Sequence, residues 1–471
     1  MITNTKDAEE VMEKIAEEGI LYVDFRFTDL IGRWCHISYS AACISVDMLQ
    51  QGIYFDSSSI QGWEGVEKSD MILLPDCTTT MTDTFSAQSS LIIICDVINP
   101  LDGKLYCKSP RSIIKKAQQY LASSGIADVF YTGTEPEFFV FDDITFRLGK
   151  GKANYEISSD ELSGVRSETK GESFFPYLPK RDRAYFLPCP ADSLFDLRSE
   201  IASSLADMGV KVEKHHHEVA RCQHEIVPVF ESFVNQADTL QILKYVVCSV
   251  ACSYNKVATF MPKPLATENG SGLHINCSLW KNGKSLFAGN AYGGLSDIAM
   301  YFIGGILKHA RAVNAFTNPT MNSYKRLIKG FEAPVLLAYS ARNRSVACRI
   351  PLAANAGQKR VEVRFPDSSS NPYLAFSALL MAGLDGIENK VTPPAPIEGN
   401  LFDMDKEKVK EIPALCSSLS EALSELDKDR AFLTKGGVFE DDMITSYIEL
   451  KRQETEEYNR AINPIDFKMY F

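Results

Sequence analysis

Apolar and polar positions change their spacing several times along this chain, and each change marks an element. Val11, Ile15 and Ala16 recur at helical spacing within residues 7–18, and Gly19 supplies a stop. That predicts a short amphipathic helix. Residues 21–27 then alternate as a strand, residues 28–32 read as a turn, and residues 34–39 return, which predicts a hairpin. The run Leu91-Ile-Ile-Ile-Cys-Asp-Val97 predicts a buried strand, broken by Asn99-Pro-Leu-Asp-Gly103. Ser109 followed by Pro110 is an N-cap and first-turn signature for a helix reaching about Ser124, before Gly125. Beyond it strands alternate with helices, the long ones spanning roughly 196–208, 237–254, 296–315, 371–388 and 440–462. Residues 145–183 are polar and read as a mobile loop, and residues 391–404 as a surface excursion. A boundary near residue 105 divides the chain into a small N-terminal domain, 1–105, and a larger domain, 106–471.

Composition narrows the class. The chain has 471 residues, enough for two domains, and is 45% hydrophobic, ordinary for a soluble globular protein. A net charge of −12 argues against nucleic acid as a partner. Twelve cysteines occur without Cys-x-x-Cys pairing, several in apolar runs such as Val247–Cys252, which predicts reduced thiols. There is no apolar signal core at the N-terminus and no run long enough for a bilayer. These features predict a cytoplasmic enzyme with no membrane partner.

The candidate chemistry sits in four short stretches. Glu135 and Glu137 are two apart on one predicted strand, so they share a face. Phe138, Phe139 and Phe141 follow at once, so the acids enter a core, where unpaired carboxylates are costly. Glu218 and Glu225 flank the end of His215-His-His-Glu-Val-Ala-Arg-Cys-Gln-His-Glu225, His274 follows Asn269-Gly-Ser-Gly272, and Glu362 lies in Val361-Glu-Val-Arg-Phe365. Like charges at close range call for cations, and five carboxylates with one imidazole suit Mg²⁺ or Mn²⁺. A zinc reading of the triple histidine pairs His215 with His217 on one face. It lacks a third histidine at zinc-like spacing, which leaves His216 and Glu218 together on the other face.

The Asn269–Gly272 segment is a turn whose backbone N–H groups could hold a small anion. Alternation beyond it places His274, Asn276 and Ser278 on one face. Arginines gather late, at Arg326, Arg342, Arg344, Arg349, Arg360 and Arg364, and Arg364 shares a strand face with Glu362. Guanidinium groups beside carboxylate-bound metals are what phosphoryl transfer from a nucleotide needs.

Taken together and in order, these segments resemble type I glutamine synthetase. The matching blocks include Phe55-Asp56, Glu135-Pro-Glu-Phe-Phe139, His215–Ala220, Gln223-His-Glu225, Thr259–Pro264, Asn269–Gly272, Asn322–Arg326, Arg342–Ser345 and Glu362–Asp367. The resemblance implies an α+β protein: a β-grasp-like N-terminal domain and a catalytic domain with an antiparallel sheet flanked by helices. It implies a homo-dodecamer with active sites between subunits, two or more metal ions per subunit, and L-glutamate, ammonia and ATP as substrates. By matching position, Glu137, Glu218 and Glu225 would hold one metal, and Glu135, His274 and Glu362 the second. Asn269, Gly270, Arg326 and Arg364 would bind glutamate, with His216 nearby. Arg344 and Arg349 would contact phosphoryl oxygens, and Glu213, Phe230, Ser278 and Arg360 would hold ATP. Asp56 from a neighbouring subunit would take the proton of ammonium, and Glu332 would close a flap.

The chain departs from that family at four sites: Ser57 and Cys222 replace glycines, Asn276 a histidine, and Gly357 a lysine. Phe402 stands where the adenylylated branch has its modified tyrosine, which predicts no control by adenylylation there. Two alternatives remain: a γ-glutamyl ligase that uses a larger amine, and a catalytically silent ring-forming homologue.

Overall fold

The computed structural model describes residues 4–149, 151–163, 165–166, 173–174, 179, 183–401 and 403–470. Phe402, and with it the adenylylation expectation, lies outside them, as does much of 164–182.

The N-terminal part is a six-stranded sheet. Its main path runs Trp34–Ser40, Tyr22–Thr28, Ser90–Ile98, Asp70–Pro75, Ile53–Asp56, with the short strand Met81–Thr82 beside Ser90–Ile98. Tyr22–Thr28 and Ser90–Ile98 run parallel, and the other pairs antiparallel. The hairpin expected at 21–39 is present as Tyr22–Thr28 paired with Trp34–Ser40. Ser90–Ile98 is buried throughout and apolar except at Ser90 and Asp96, because both its faces are covered. Leu91, Ile93, Cys95 and Val97 join the main core, while Ile92 and Ile94 join a second core with Phe138, Val140 and the Phe195–Asp207 helix.

Beside these shared cores, the junction with the larger part carries an ionic network. Arg111, on the Pro110–Ser124 helix, donates to Asp96 at 2.8 Å, to Asp76 at 2.9 Å and to Asp238 at 2.8 and 3.0 Å. Lys115, one turn on, reaches Asp96 at 2.6 Å and Asp76 at 3.0 Å. Burial opposes ionisation of Asp76, yet Arg111 and Lys115 hold its carboxyl well below the usual range.

The larger part is built on a ten-stranded sheet. Its main path is Val212–His217, Gln223–Pro228, Val129–Phe141, Leu273–Lys281, Val361–Val363, Cys348–Ile350, Tyr339–Ala341. Neighbours on this path are antiparallel, except that Tyr339–Ala341 and Cys348–Ile350 run parallel. The helices Asp297–Thr317 and Pro372–Glu388 lie against each other through glycines. A Cβ on Gly305 would stand 2.1 Å from the Ala382 carbonyl, and one on Gly386 2.2 Å from that of Tyr301. Pro372–Glu388 is buried almost all round, which its nearly unbroken apolar sequence requires. Among the described residues, no helix is long and apolar enough to cross a membrane.

One expectation needs correction. Residues 143–158 are a hairpin, Asp143–Gly149 against Lys152–Ser158, rather than a loop. Ile144, Phe146 and Leu148 alternate, as do Ala153, Tyr155 and Ile157, but interleaved charges and the glycines at 149 and 151 hide the pattern. The 391–404 stretch is the surface excursion expected, irregular and largely exposed, and it is tied down over its described part. Ile397 N–H donates to Tyr339 O at 3.0 Å, Asn343 Nδ2 donates to Gly399 O at 2.7 Å, and Leu401 is buried.

Candidate active site

The four acidic stretches converge because their strands are sheet neighbours. Glu137 pairs across the sheet with Glu225, His274 with Glu135, and Glu362 with Asn276. Register therefore stacks residues distant in sequence onto one face. His274 Nδ1 lies 3.4 Å from Glu135 and 4.0 Å from Glu362, and its Nε2 lies 3.9 Å from Glu137. Three groupings place their donor atoms within 4.8 Å of one another: Glu135 with His274 and Glu362, Glu137 with Glu225 and His274, and His216 with Glu218 and Glu225. The first matches one expected ligand set. Glu137, Glu218 and Glu225 fall across the other two.

The electrostatics differ from one end of this row to the other. Burial opposes ionisation of Glu135, but His274 and Asn276 bring its carboxyl down to about 2. Burial likewise opposes Glu362, and Arg364 and Arg349, each 2.5 Å away, win. Glu218 is pushed well up by burial and by the facing Glu137 and Glu225, and Glu137 is pushed up by burial and Glu225. These carboxylates converge on a point where the chain supplies too little positive charge. A divalent cation fits that donor set.

Hydrogen bonds hold the carboxylates in place. Glu137 Oε2 accepts from Gly272 N–H at 2.8 Å and from Gln223 Nε2 at 2.9 Å. The N–H of Gly272, expected to be open to a small anion, is thus taken by the chain's own carboxylate. Gly272 and Gly270 are tight positions: a Cβ on Gly272 would lie 2.7 Å from Arg326 Nη2, and one on Gly270 2.4 Å from Pro262 O. Arg326 is buried beneath them and donates to the carbonyls of Arg364, Phe365 and Pro366. Asn276 donates to Glu135 and accepts from Arg360, each at 3.0 Å.

A cavity of about 700 Å³ opens over this face. Its walls include all six expected metal ligands, the expected glutamate residues Asn269, Gly270, His216, Arg326 and Arg364, and also Arg344, Arg349, Arg360 and Glu332. Four expected residues do not line it. Glu213 is exposed at the irregular start of its strand. Phe230 lies past Asn276, its exposed ring edge-on to Tyr131. Ser278, farther along the His274 strand, accepts from Trp280. Asp56 is exposed in the N-terminal sheet, its carboxylate bonded to Ser58 N and Oγ at 2.8 and 2.6 Å.

Sequence reading missed several wall residues. Lys214 and Gln223 each stand two positions before a named residue on the same strand, so period two could have found them. Tyr185, which bonds Arg344, and Asn400 carry no periodic signal.

The back of the same hairpin has the opposite character. His215, His217 and His224 do converge there, with the His217 and His224 rings 4.9 Å apart. Buried Arg198 donates to His215 at 3.4 Å, contacts His224 at 3.0 Å and pairs with Asp192, while His217 contacts Glu161 at 3.1 Å. A guanidinium fills the place that the zinc reading gave to a metal. Cys222 sits in this layer at φ 64°, a conformation that suits the glycine it replaces. Its N–H donates to Glu161 at 2.6 Å, and its thiol donates to Ser159 at 3.2 Å.

With this geometry in view, the chain's likenesses to known proteins fall into place. Residues 19–100 match the family described as glutamine synthetase, beta-Grasp domain, and residues 107–470 match glutamine synthetase, catalytic domain. A glutamine synthetase of Rhizobium meliloti is 51% identical over 98% of this chain and 99% of its own length. A 3-hydroxylaminophenol mutase of Cupriavidus pinatubonensis is 48% identical over 98% of both chains. The cryo-EM structure of Plasmodium falciparum glutamine synthetase superposes with a TM-score of 0.90 at 33% identity, covering 98% of each chain.

Proposed function

The chain belongs to the glutamine synthetase family, and from that premise we propose that it joins ammonia to L-glutamate at the expense of ATP. The products are L-glutamine, ADP and phosphate. The observation that carries this reading is the row of carboxylates from Glu218 to Glu362, met across one cavity by Arg344, Arg349, Arg360 and Arg364.

A carboxylate resists attack by an amine, so the γ-carboxylate of glutamate first takes the terminal phosphoryl group of ATP, and ammonia then displaces phosphate. Glu137, Glu218 and Glu225 on one side, and Glu135, His274 and Glu362 on the other, would hold two divalent cations, Mg²⁺ or Mn²⁺. When bound, such ions offset the charge of the phosphates and of the phosphoryl group in transit. Asn269, Gly270, Arg326 and Arg364 hold glutamate, with His216 beside them. Arg344 and Arg349 neutralise the phosphoryl oxygens, and Arg360, with Glu213, Phe230 and Ser278 beyond the cavity edge, holds the nucleotide. Glu332 covers the activated intermediate. Asp56 takes a proton from ammonium in the site of a neighbouring copy.

Assembly into a dodecamer with shared sites is part of this proposal. Asp56 does not reach the cavity of its own chain. Phe146, Leu148 and Tyr155 on the hairpin, and Phe467, Met469 and Tyr470 at the C-terminus, leave apolar surface for a second copy to cover. A domain boundary near residue 105 fits the two family matches, which end at 100 and begin at 107. The protein acts in the cytoplasm, and Phe402 offers no hydroxyl for adenylylation.

The mutase relative shows that high identity does not by itself fix the reaction. ATP-dependent phosphate release is therefore measured with glutamate and a panel of amines that includes ammonia. Ammonia is expected to be strongly preferred, and preference for a larger amine overturns the reading. Mixing inactive Asp56→Ala with inactive Glu362→Ala subunits should restore part of the activity. A fully active monomer in sedimentation overturns the shared site.

A further inference from the structure

Lys263 takes no part in the chemistry above, and it does not line the cavity. It is buried behind the cavity wall, with its backbone fixed on Asn322. Lys263 N–H donates to Asn322 Oδ1 at 2.6 Å, and Asn322 Nδ2 donates to Lys263 O at 3.1 Å. The ammonium group faces two segments at once. It donates to the carbonyl of Glu268, the residue before Asn269. It also stands 3.6 Å from the centre of the Phe331 ring, the residue before Glu332. A buried cation at that distance over a ring is attracted by the negative face of the π system.

Both segments are otherwise arranged to receive this side chain. Glu268 is buried and held by Arg221 at 2.6 Å, so its carbonyl is a fixed point. On the other side, Gly330 has φ 102° and Glu332 has φ 56°. The second is an unfavourable backbone state for a glutamate, and it persists only where neighbouring contacts impose it. Phe331 lines the cavity, and its ring is one contact that ties the flap to the body of the protein, beside the buried Ala333.

We propose that Lys263 is a latch, a positioning residue that links the Asn269–Gly270 loop to the Glu332 flap. The inference rests on the roles given above to Asn269, Gly270 and Glu332. One ammonium group fastens both segments, so the flap lies over the cavity when the glutamate loop is in its holding conformation. The chemical consequence concerns water. With the flap loosened, water in place of ammonia attacks the acyl carbon of γ-glutamyl phosphate. The C–O bond to phosphate breaks, glutamate and phosphate leave, and ATP is spent without forming glutamine.

The test compares Lys263→Met, Phe331→Leu, the double variant and Lys263→Arg with the unaltered chain, at saturating glutamate, ATP and ammonia. The phosphate released in excess of glutamine is measured per glutamine formed. Each single variant should raise that ratio roughly threefold to thirtyfold, the range a desolvated cation–π contact spans. The double variant should be no worse than the poorer single, and Lys263→Arg should recover most of the coupling. Phe331 lies on the flap rather than in the core, so its variant tests the idea even if Lys263→Met folds poorly. A ratio that stays at the unaltered value while kcat falls makes Lys263 a structural residue and overturns the latch, as do penalties that multiply in the double variant. If the unaltered chain makes no glutamine from ammonia, the assigned reaction has failed; if it does and the variants stay coupled, only the latch has.

Discussion

Two clusters of acids, one at the domain junction and one in the cavity, are separated by their partners. At the domain junction, Asp76, Asp96 and Asp238 surround Arg111, with Lys115 beside two of them. In the cavity, Glu137, Glu218 and Glu225 face one another, and the basic side chains within 3.9 Å of them are imidazoles. Asp76 is held low, whereas Glu218 is pushed high. Both clusters are buried, so burial does not distinguish them. The junction carries its own cations and is complete as folded. The cavity cluster is incomplete until positive charge arrives from outside, which marks it as a ligand site rather than a structural one.

The comparison is broken most forcefully by removing ligands. Glu137→Ala and Glu362→Ala should each cut phosphoryl transfer by about a thousandfold or more while the fold survives. Chelation of the unaltered protein should do the same, and full activity in chelator would count against the cation reading. Next in size is Arg111→Leu, which leaves Asp238 without its cation and Asp76 and Asp96 with Lys115 alone. It should cost about 3–5 kcal/mol in denaturant unfolding. A loss under 1 kcal/mol would mean that the junction is not held by charge.

A smaller effect has the opposite sign. Glu218→Gln removes one of the mutually repelling acids, so the metal-free protein should gain stability and melt at a higher temperature, although its Mn²⁺ affinity falls. A drop in metal-free stability would contradict the repulsion. The smallest effect is in acid. Because Asp76 is depressed in the fold, its contribution is present above about pH 4 and is lost as pH falls through the folded value. Lys115→Met raises that folded value towards the unfolded one. Acid unfolding followed by circular dichroism should then begin about half a pH unit higher. An unchanged midpoint would remove Lys115 from the network.

The sequence disclosed the two clusters unequally. Glu135 and Glu137 were legible as a pair because strand alternation is strict, the helix starting at Pro110 from its first-turn proline, and the helix after Asn371 from its apolar run. Glu137 against Glu225, and His274 against Glu135, depend on sheet register, which no local pattern specifies; the family resemblance alone joined them. The junction was not foreseen at all. Arg111 is one of several polar residues on an amphipathic helix, and only the packed fold shows that it faces inward. The hairpin at 143–158 escaped because its exposed apolar residues look like loop composition until their period is counted.

The hydrogen bonds from Gly272 and Gln223 to Glu137 carry a consequence for measurement. Gln223 also donates to the carbonyl of Gly270 at 3.1 Å, so the carboxylate that would grip a cation shares its supports with the loop that would grip glutamate. Any preference of one occupant for a particular arrangement of these groups is felt by the other. Thermodynamic reciprocity then requires equal factors in both directions: whatever glutamate does to cation affinity, the cation does to glutamate affinity. A titration of either one reports a single constant only at a stated concentration of the other.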